Sequence, residues 1–191
     1  MSAVPRQPID NGYVGLRMTA GEFLAIGETE ERLQLIDGVV VMSPRPTGRH
    51  QNSIRLIQQQ LERYLLTNPG AIYFVEVDLK LSDRKVYTPD LACYRAGRDV
   101  GIPDRLTLPP DLIIEVLSPG NKAFDLTKKK DDYESFGIGE YWAFDPADGR
   151  LRVYTREGDS LLERAVRDES VPSAALPDFT LDLRPLRSAP E

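Results

Sequence analysis

Apolar residues recur along this chain with two different periods, and the places where the period changes divide it into elements. Residues 19–27 open on Thr19 as an N-cap candidate, carry Glu22 where a capping box needs it, and stop at Gly27, which predicts a short helix. Two short apolar runs, 32–36 and 39–42, are joined by Asp37-Gly38, a strong hairpin signal. From His50 the spacing turns helical: Ile54, Ile57, Leu61, Tyr64 and Leu65 share one face until Asn68-Pro69-Gly70 ends it. Strands are predicted at 71–81 and 85–94, with Ser82-Asp83-Arg84 as the turn between them. The stretch 111–117 is apolar enough for a strand buried on both faces. Ser118-Pro119-Gly120-Asn121 breaks it and opens a helix to about Phe136; Gly137 and Gly139 stop that helix before a β-like run at 140–145. A second hairpin is predicted over 150–156 and 160–167, and the Pro-rich stretch from 172 reads as a wrapping segment.

The central order is thus helix, strand, strand, strand, helix, strand. This predicts an α/β (α+β) fold on a mixed sheet, with 111–117, its helix and 140–145 forming a crossover unit. The expected organisation is an N-terminal arm at 1–18, a single domain at 19–185 with its core at about 48–146, and a tail at 186–191.

Composition narrows the function classes. At 191 residues, with 41% hydrophobic and 28% charged residues, the chain fits one soluble globular domain. One Cys and one His exclude zinc fingers and disulfide scaffolds by counting, and leave only His50 as the base of any Ser-His-Asp arrangement. No eighteen-residue apolar run and no apolar leader segment are readable, so a cytoplasmic protein with no membrane partner is expected. Cys93, inside an apolar run, is read as a small core side chain rather than a reactive thiol.

Candidate chemistry concentrates between Tyr87 and Pro146. Glu115 sits among Ile113, Ile114, Val116 and Leu117, where an ionised carboxylate needs a cation or hydrogen-bond donors. Alone it fits better a strand-end Glu leaning into solvent or salt-bridged to a neighbour. Asp90 opens the run Leu91-Ala92-Cys93-Tyr94, and alone it fits a turn after Pro89. Two carboxylates on adjacent strands nevertheless match what a hard divalent cation takes. On the helix ending at Phe136, Leu126, Tyr133 and Phe136 define an apolar stripe in which Lys129 fills the vacant position. At about 100° per residue, Lys130 falls at its edge and Lys128 points away. From that stripe Lys129 could reach both carboxylates, position a water and offset charge developing on a phosphate. No glycine-rich nucleotide-binding loop occurs. Tyr141-Trp142 reads as core packing.

These residues resemble a known family. Ile36-Asp37-Gly38 with Met42-Ser43-Pro44, His50, Pro89-Asp90, Glu115-Val116-Leu117-Ser118-Pro119, Asp125, Lys129, Tyr133 and Gly139-Glu140-Tyr141-Trp142 together resemble the Uma2 family of endonucleases, within the PD-(D/E)xK nuclease-like group. The resemblance covers roughly residues 19–146. It implies a restriction-endonuclease-like core, catalytic residues Asp90, Glu115 and Lys129, and a Mg²⁺ (or Mn²⁺) ion held by Asp90, Glu115 and the Val116 carbonyl. It implies substrate contacts from His50, Asp125 and Tyr133, DNA as the substrate, and a homodimer. The usual motif lysine would stand at Leu117, so its place is taken from the following helix. Relatives often carry acids where this chain has Gln34 and Val39, which keeps open a second class: a nuclease-fold module that binds nucleic acid or a protein with little or no turnover. A paired-carboxylate glycoside hydrolase is a third reading, and it leaves Lys129 unexplained.

Charge then looks different in detail than in total. Although 24 Lys+Arg stand against 30 Asp+Glu, residues 19–37 carry five acids against Arg32. Residues 45–63 and 121–130 each carry four bases against one acid, and both flank the expected site.

Overall fold

In the computed structural model the described residues are 12–27, 29 and 31–188; most of the expected arm and the last three residues of the tail lie outside them. The capping box forms as read: Thr19 and Glu22 satisfy each other's backbone at the start of α1 (Ala20–Ala25). β1 (Leu33–Ile36) and β2 (Val39–Met42) form the hairpin, with Asp37 and Gly38 both at positive φ, 51° and 79°. That geometry is the two-residue turn an Asp-Gly pair favours. α2 (Gly48–Thr67) begins two residues earlier than the apolar spacing indicated, capped by Thr47.

The two long predicted strands are each divided. Residues 71–81 give β3 (Ile72–Val75) and β4 (Leu79–Ser82), and residues 85–94 give β5 (Lys85–Tyr87) and β6 (Leu91–Tyr94). The breaks have physical causes. Glu76 adopts φ 52°, a left-handed corner, and Pro89 cannot donate to a ladder. Each divided strand therefore contributes one half to each of two sheets. The smaller has the order β2-β1-β5-β4.

The larger sheet adds β7 (Leu112–Val116), β8 (Glu140–Asp145), β9 (Arg150–Glu157) and β10 (Ser160–Arg164), in the order β10-β9-β8-β7-β6-β3. β7 and β8 are parallel and the other pairs antiparallel, so the sheet is mixed as expected. The crossover between β7 and β8 is a helix in three pieces: α3 (Lys122–Phe124), a π-helical turn (Asp125–Lys129) and α4 (Lys130–Phe136). After β10 the chain forms β11 (Ser170–Pro172), β12 (Thr180–Asp182) and α5 (Arg184–Arg187).

Strand alternation decides what each face of the large sheet holds. Leu112, Ile114 and Val116 of β7, with Trp142 and Phe144 of β8, face α2 and the C-terminal segment, where Phe179 packs against both Trp142 and Tyr64. Ile113 of β7, Tyr141 and Ala143 of β8 and Tyr133 of α4 form the opposite core. Glu115 falls on that second face, beneath the crossover helix. A third core, around Phe23, Leu33, Leu35, Val40 and Val86, holds α1 to the small sheet.

Candidate active site

Glu115 leaves the sheet at the carboxyl end of β7, and Lys129 comes down onto it from the π-helical turn. Both are nearly closed to solvent, each at 4% exposure. A buried ammonium is costly unless compensated. Here Lys129 Nζ lies 2.6 Å from Glu115 Oε1 and 3.6 Å from Asp125 Oδ1. The rings of Tyr87 and Tyr133 flank it at 5.9 Å. The Tyr133 hydroxyl donates to Glu115 Oε1 at 2.8 Å, and the Tyr141 hydroxyl donates to the Asp125 carbonyl at 3.1 Å. The widened turn, closed i→i+5, puts Asp125 and Lys129 on one buried line. Such turns recur at functional sites.

Asp90 arrives from the Pro89 corner. Its Oδ2 accepts the Val116 N–H at 2.7 Å and lies 3.2 Å from His50 Nε2. The β6–β7 pairing, with Leu91 opposite Ile114, brings Asp90 to the end of β7 beside Glu115. His50 is itself buried in the first turn of α2, and its Nδ1 has no hydrogen-bond partner.

Burial dominates the electrostatics. It pushes the Glu115 carboxyl up to about 7, with Lys129 opposing and the charges of Asp90 and Asp125 adding. Asp125 is also raised, by burial first, against the pull of Lys129. Burial would lower Lys129, but Glu115 and Asp125 outweigh it and the ammonium is held protonated. Burial also works against a charged His50, and Asp90 more than compensates, so its pKa is raised. Three buried carboxylates, Asp90, Glu115 and Asp125, thus meet one lysine and one histidine.

That surplus of negative charge on hard oxygen donors is a fit for a divalent cation. Among the described residues no group of three or more His, Cys, Asp or Glu side chains is arranged to hold an ion. Asp90 and Glu115 could offer two carboxylates to such an ion, which would leave other positions to backbone, water and phosphate. This is the manner in which Mg²⁺ is usually held.

Asp90, Glu115, Val116, His50, Asp125 and Lys129 all line one cavity of about 50 Å³. Of the expected site residues only Tyr133 is absent from its wall; it lies underneath, fully buried, holding Glu115. The cavity also brings in Thr88, which the sequence reading did not name, and Arg32, Ser43, Arg45, Ser118 and Asn121, which it named without a role in the site. The Ser-Pro-Arg-Pro run at 43–46 between hairpin and α2 was the available signal for two of them. Gln34 stands in the same wall and donates to Ser43 Oγ at 2.7 Å, whereas Val39 lies outside it.

Comparison with known proteins bears on the family and the fold. The Uma2 family model, described as "Putative restriction endonuclease", matches residues 20–184. Among solved structures, a protein of Anabaena variabilis ATCC 29413, described as a putative nuclease belonging to DUF820, has a similar fold. The TM-score is 0.76 at 24% identity, over 90% of this chain and 98% of that one. No curated protein matches the chain.

Proposed function

The chain belongs to the Uma2 family, and on that premise we propose that it is a metal-dependent endonuclease that hydrolyses phosphodiester bonds in DNA. The observation that carries this reading is the buried Lys129 ammonium set against Glu115 and Asp125 in a cavity that also holds Asp90. Asp90 and Glu115, with the Val116 carbonyl, would hold Mg²⁺ or Mn²⁺, which supplies Lewis-acid polarisation of the phosphate and acidification of a bound water.

The chain's own residues do the rest. Lys129 is a fixed positive charge: it orients the attacking water and offsets charge developing on the phosphate. Its neighbours keep it protonated, so it acts as a positioned cation rather than as the proton acceptor. Asp125 holds the ammonium from the preceding turn, and Tyr133 fixes one Glu115 oxygen from below. His50 orients Asp90 opposite the Val116 N–H. Arg45, in the cavity wall, is placed to meet a flanking phosphate. Two copies of the chain, each with one site, would serve the two strands of a duplex.

Conversion of supercoiled plasmid to nicked circles tests the proposal. Wild type is expected to nick with Mg²⁺ or Mn²⁺ and not in chelator. Asp90→Asn and Glu115→Gln are each expected to lose about 100-fold or more in rate. Equal cleavage in chelator would overturn it. Gln34, an amide in the wall where relatives often carry an acid, favours a second reading in which the site binds DNA with little turnover. Metal-stimulated DNA binding without nicking is the result that would select it.

A further inference from the structure

Beside the catalytic cavity lies a larger one of about 560 Å³, within the range of small-molecule pockets. The two share Arg32, Gln34 and Thr88, so the wall of one is the wall of the other. Its lining is divided by chemistry. One side is apolar: Phe23, Leu24 and Ile26, from α1 and the residue after it. The other carries four carboxylates, Glu31, Glu76, Asp78 and Asp104, against the two cations Arg32 and Arg105.

The carboxylates have partial commitments. Arg32 pairs with Glu76 at 2.8 Å, and Thr88 Oγ1 donates to Asp78 at 2.9 Å. A carboxylate has about four acceptor sites, so both can accept further donors. Glu76 and Asp78 reach the cavity because the chain turns a left-handed corner at Glu76, φ 52°. Non-glycine residues hold such conformations where the surroundings enforce them, often at ligand clamps. An acidic interior repels phosphate, whereas a flat, apolar-faced group rich in N–H donors suits both walls. The cation of the shared wall, Arg32, is taken up by Glu76.

We propose that this cavity receives the unstacked base of the nucleotide next to the scissile phosphate, and that it prefers bases bearing an exocyclic amino group. The identification of the polymer rests on the nuclease reading; the base-binding chemistry rests on the cavity alone. Enzymes that do chemistry on a base extrude it into a fitted pocket, and apolar stacking supplies affinity without requiring a charged contact.

The test uses uncharged nucleosides, so that no phosphate meets the acidic walls. Deoxycytidine, deoxyadenosine and thymidine are titrated into the full-length protein and followed by amide chemical shifts. Deoxycytidine and deoxyadenosine are expected to perturb residues lining the larger cavity, with dissociation constants at least about fivefold below that of thymidine. Leu24→Trp, which narrows the cavity at its apolar wall, is expected to weaken those shifts. Asp104→Asn, at an exposed position where packing is not at stake, is expected to narrow the amino-base preference. Equal binding of thymidine, no binding by any nucleoside, or a preference unchanged in both variants would overturn the proposal. Plasmid nicking by the same proteins separates the two readings. Nucleoside selectivity without nicking removes the nuclease and leaves the subsite, and nicking without selectivity does the reverse.

Discussion

Lys128, Lys129 and Lys130 are consecutive in sequence and have three different neighbourhoods. Lys129 is sealed against Glu115 and Asp125; Lys130 sits at the edge of the buried face with Asp131 and Glu134; Lys128 bridges Asp132 and Asp37 of the hairpin turn. The helical stripe tells Lys129 from Lys128 in the sequence alone, because an apolar period with one charged member singles that member out. It could not show Asp125 and Asp132 buried on the same helix, since a carboxylate reads as solvated until its partner is known. Asp132 meets Lys85, Lys128 and the Tyr87 hydroxyl, none of them near it in sequence except Lys128. The Glu of the Gly-Glu-Tyr-Trp run is likewise structural: Glu140, fully buried, accepts from Ser173, Ala174 and Ala175 and anchors the C-terminal segment. Tyr133→Phe removes one hydrogen bond to a buried carboxylate. It is expected to cost about 1 kcal/mol in denaturant unfolding while leaving the nicking rate within about tenfold.

At the scale of elements, the sequence showed helices, the hairpin turn and the buried β7, because each has a local signal. It missed the division of the two long strands. Pro89 was visible, but nothing about Glu76 announces a left-handed corner, and the corner exists because two sheets compete for one strand. The π-helical turn is equally silent in the sequence; in the fold it carries the Lys129 that meets Glu115. Gly139 is clearer in hindsight. A Cβ there would stand 2.7 Å from the Asp111 carbonyl, where β7 and β8 begin side by side. Gly139→Ala is therefore expected to lose about 1–3 kcal/mol of unfolding free energy. The start of the crossover helix is tied down by Lys122 and Asp145, the latter at the end of β8. Burial alone would raise Asp145, but Lys122 and the Ala147 N–H hold it below its ordinary 3.8. A depressed acid contributes stability that is complete above the unfolded pKa and lost as the pH falls through the folded one. Melting temperatures of wild type and Lys122→Met should differ at pH 7, by the equivalent of up to about 1 kcal/mol for a half-exposed lysine. They should converge as the pH falls below 3.8 and through the lowered folded pKa of Asp145. A gap that persisted there would exclude the ion pair as its source.

Over the whole molecule, charge is placed differently from its distribution along the chain. The basic stretch at 121–130 is not an open positive face, because Lys122, Lys128, Lys129 and Lys130 are all taken up in ion pairs. Of the other basic stretch, Arg45 lines the cavity that holds Asp90, Glu115 and Lys129. The acidic segment before the core does not stand apart either: Glu31 and Arg32 line the larger cavity beside the site. The net acidic sum thus says little about where a nucleic acid would lie. What the fold contributes is convergence: two sheets sharing divided strands, and one crossover helix that lowers a lysine onto them. Among the described residues no helix is long and apolar enough to cross a membrane.

The neighbouring lysines give the most direct test of the site. Single-turnover cleavage of an end-labelled DNA duplex in Mg²⁺ is to be compared for wild type, Lys128→Met and Lys129→Met, each confirmed folded. Lys128→Met should stay within a few-fold of wild type, and Lys129→Met should fall by about 100-fold or more. Wild type that cannot cleave, or a Lys129→Met protein that cleaves as fast as Lys128→Met, would contradict the account.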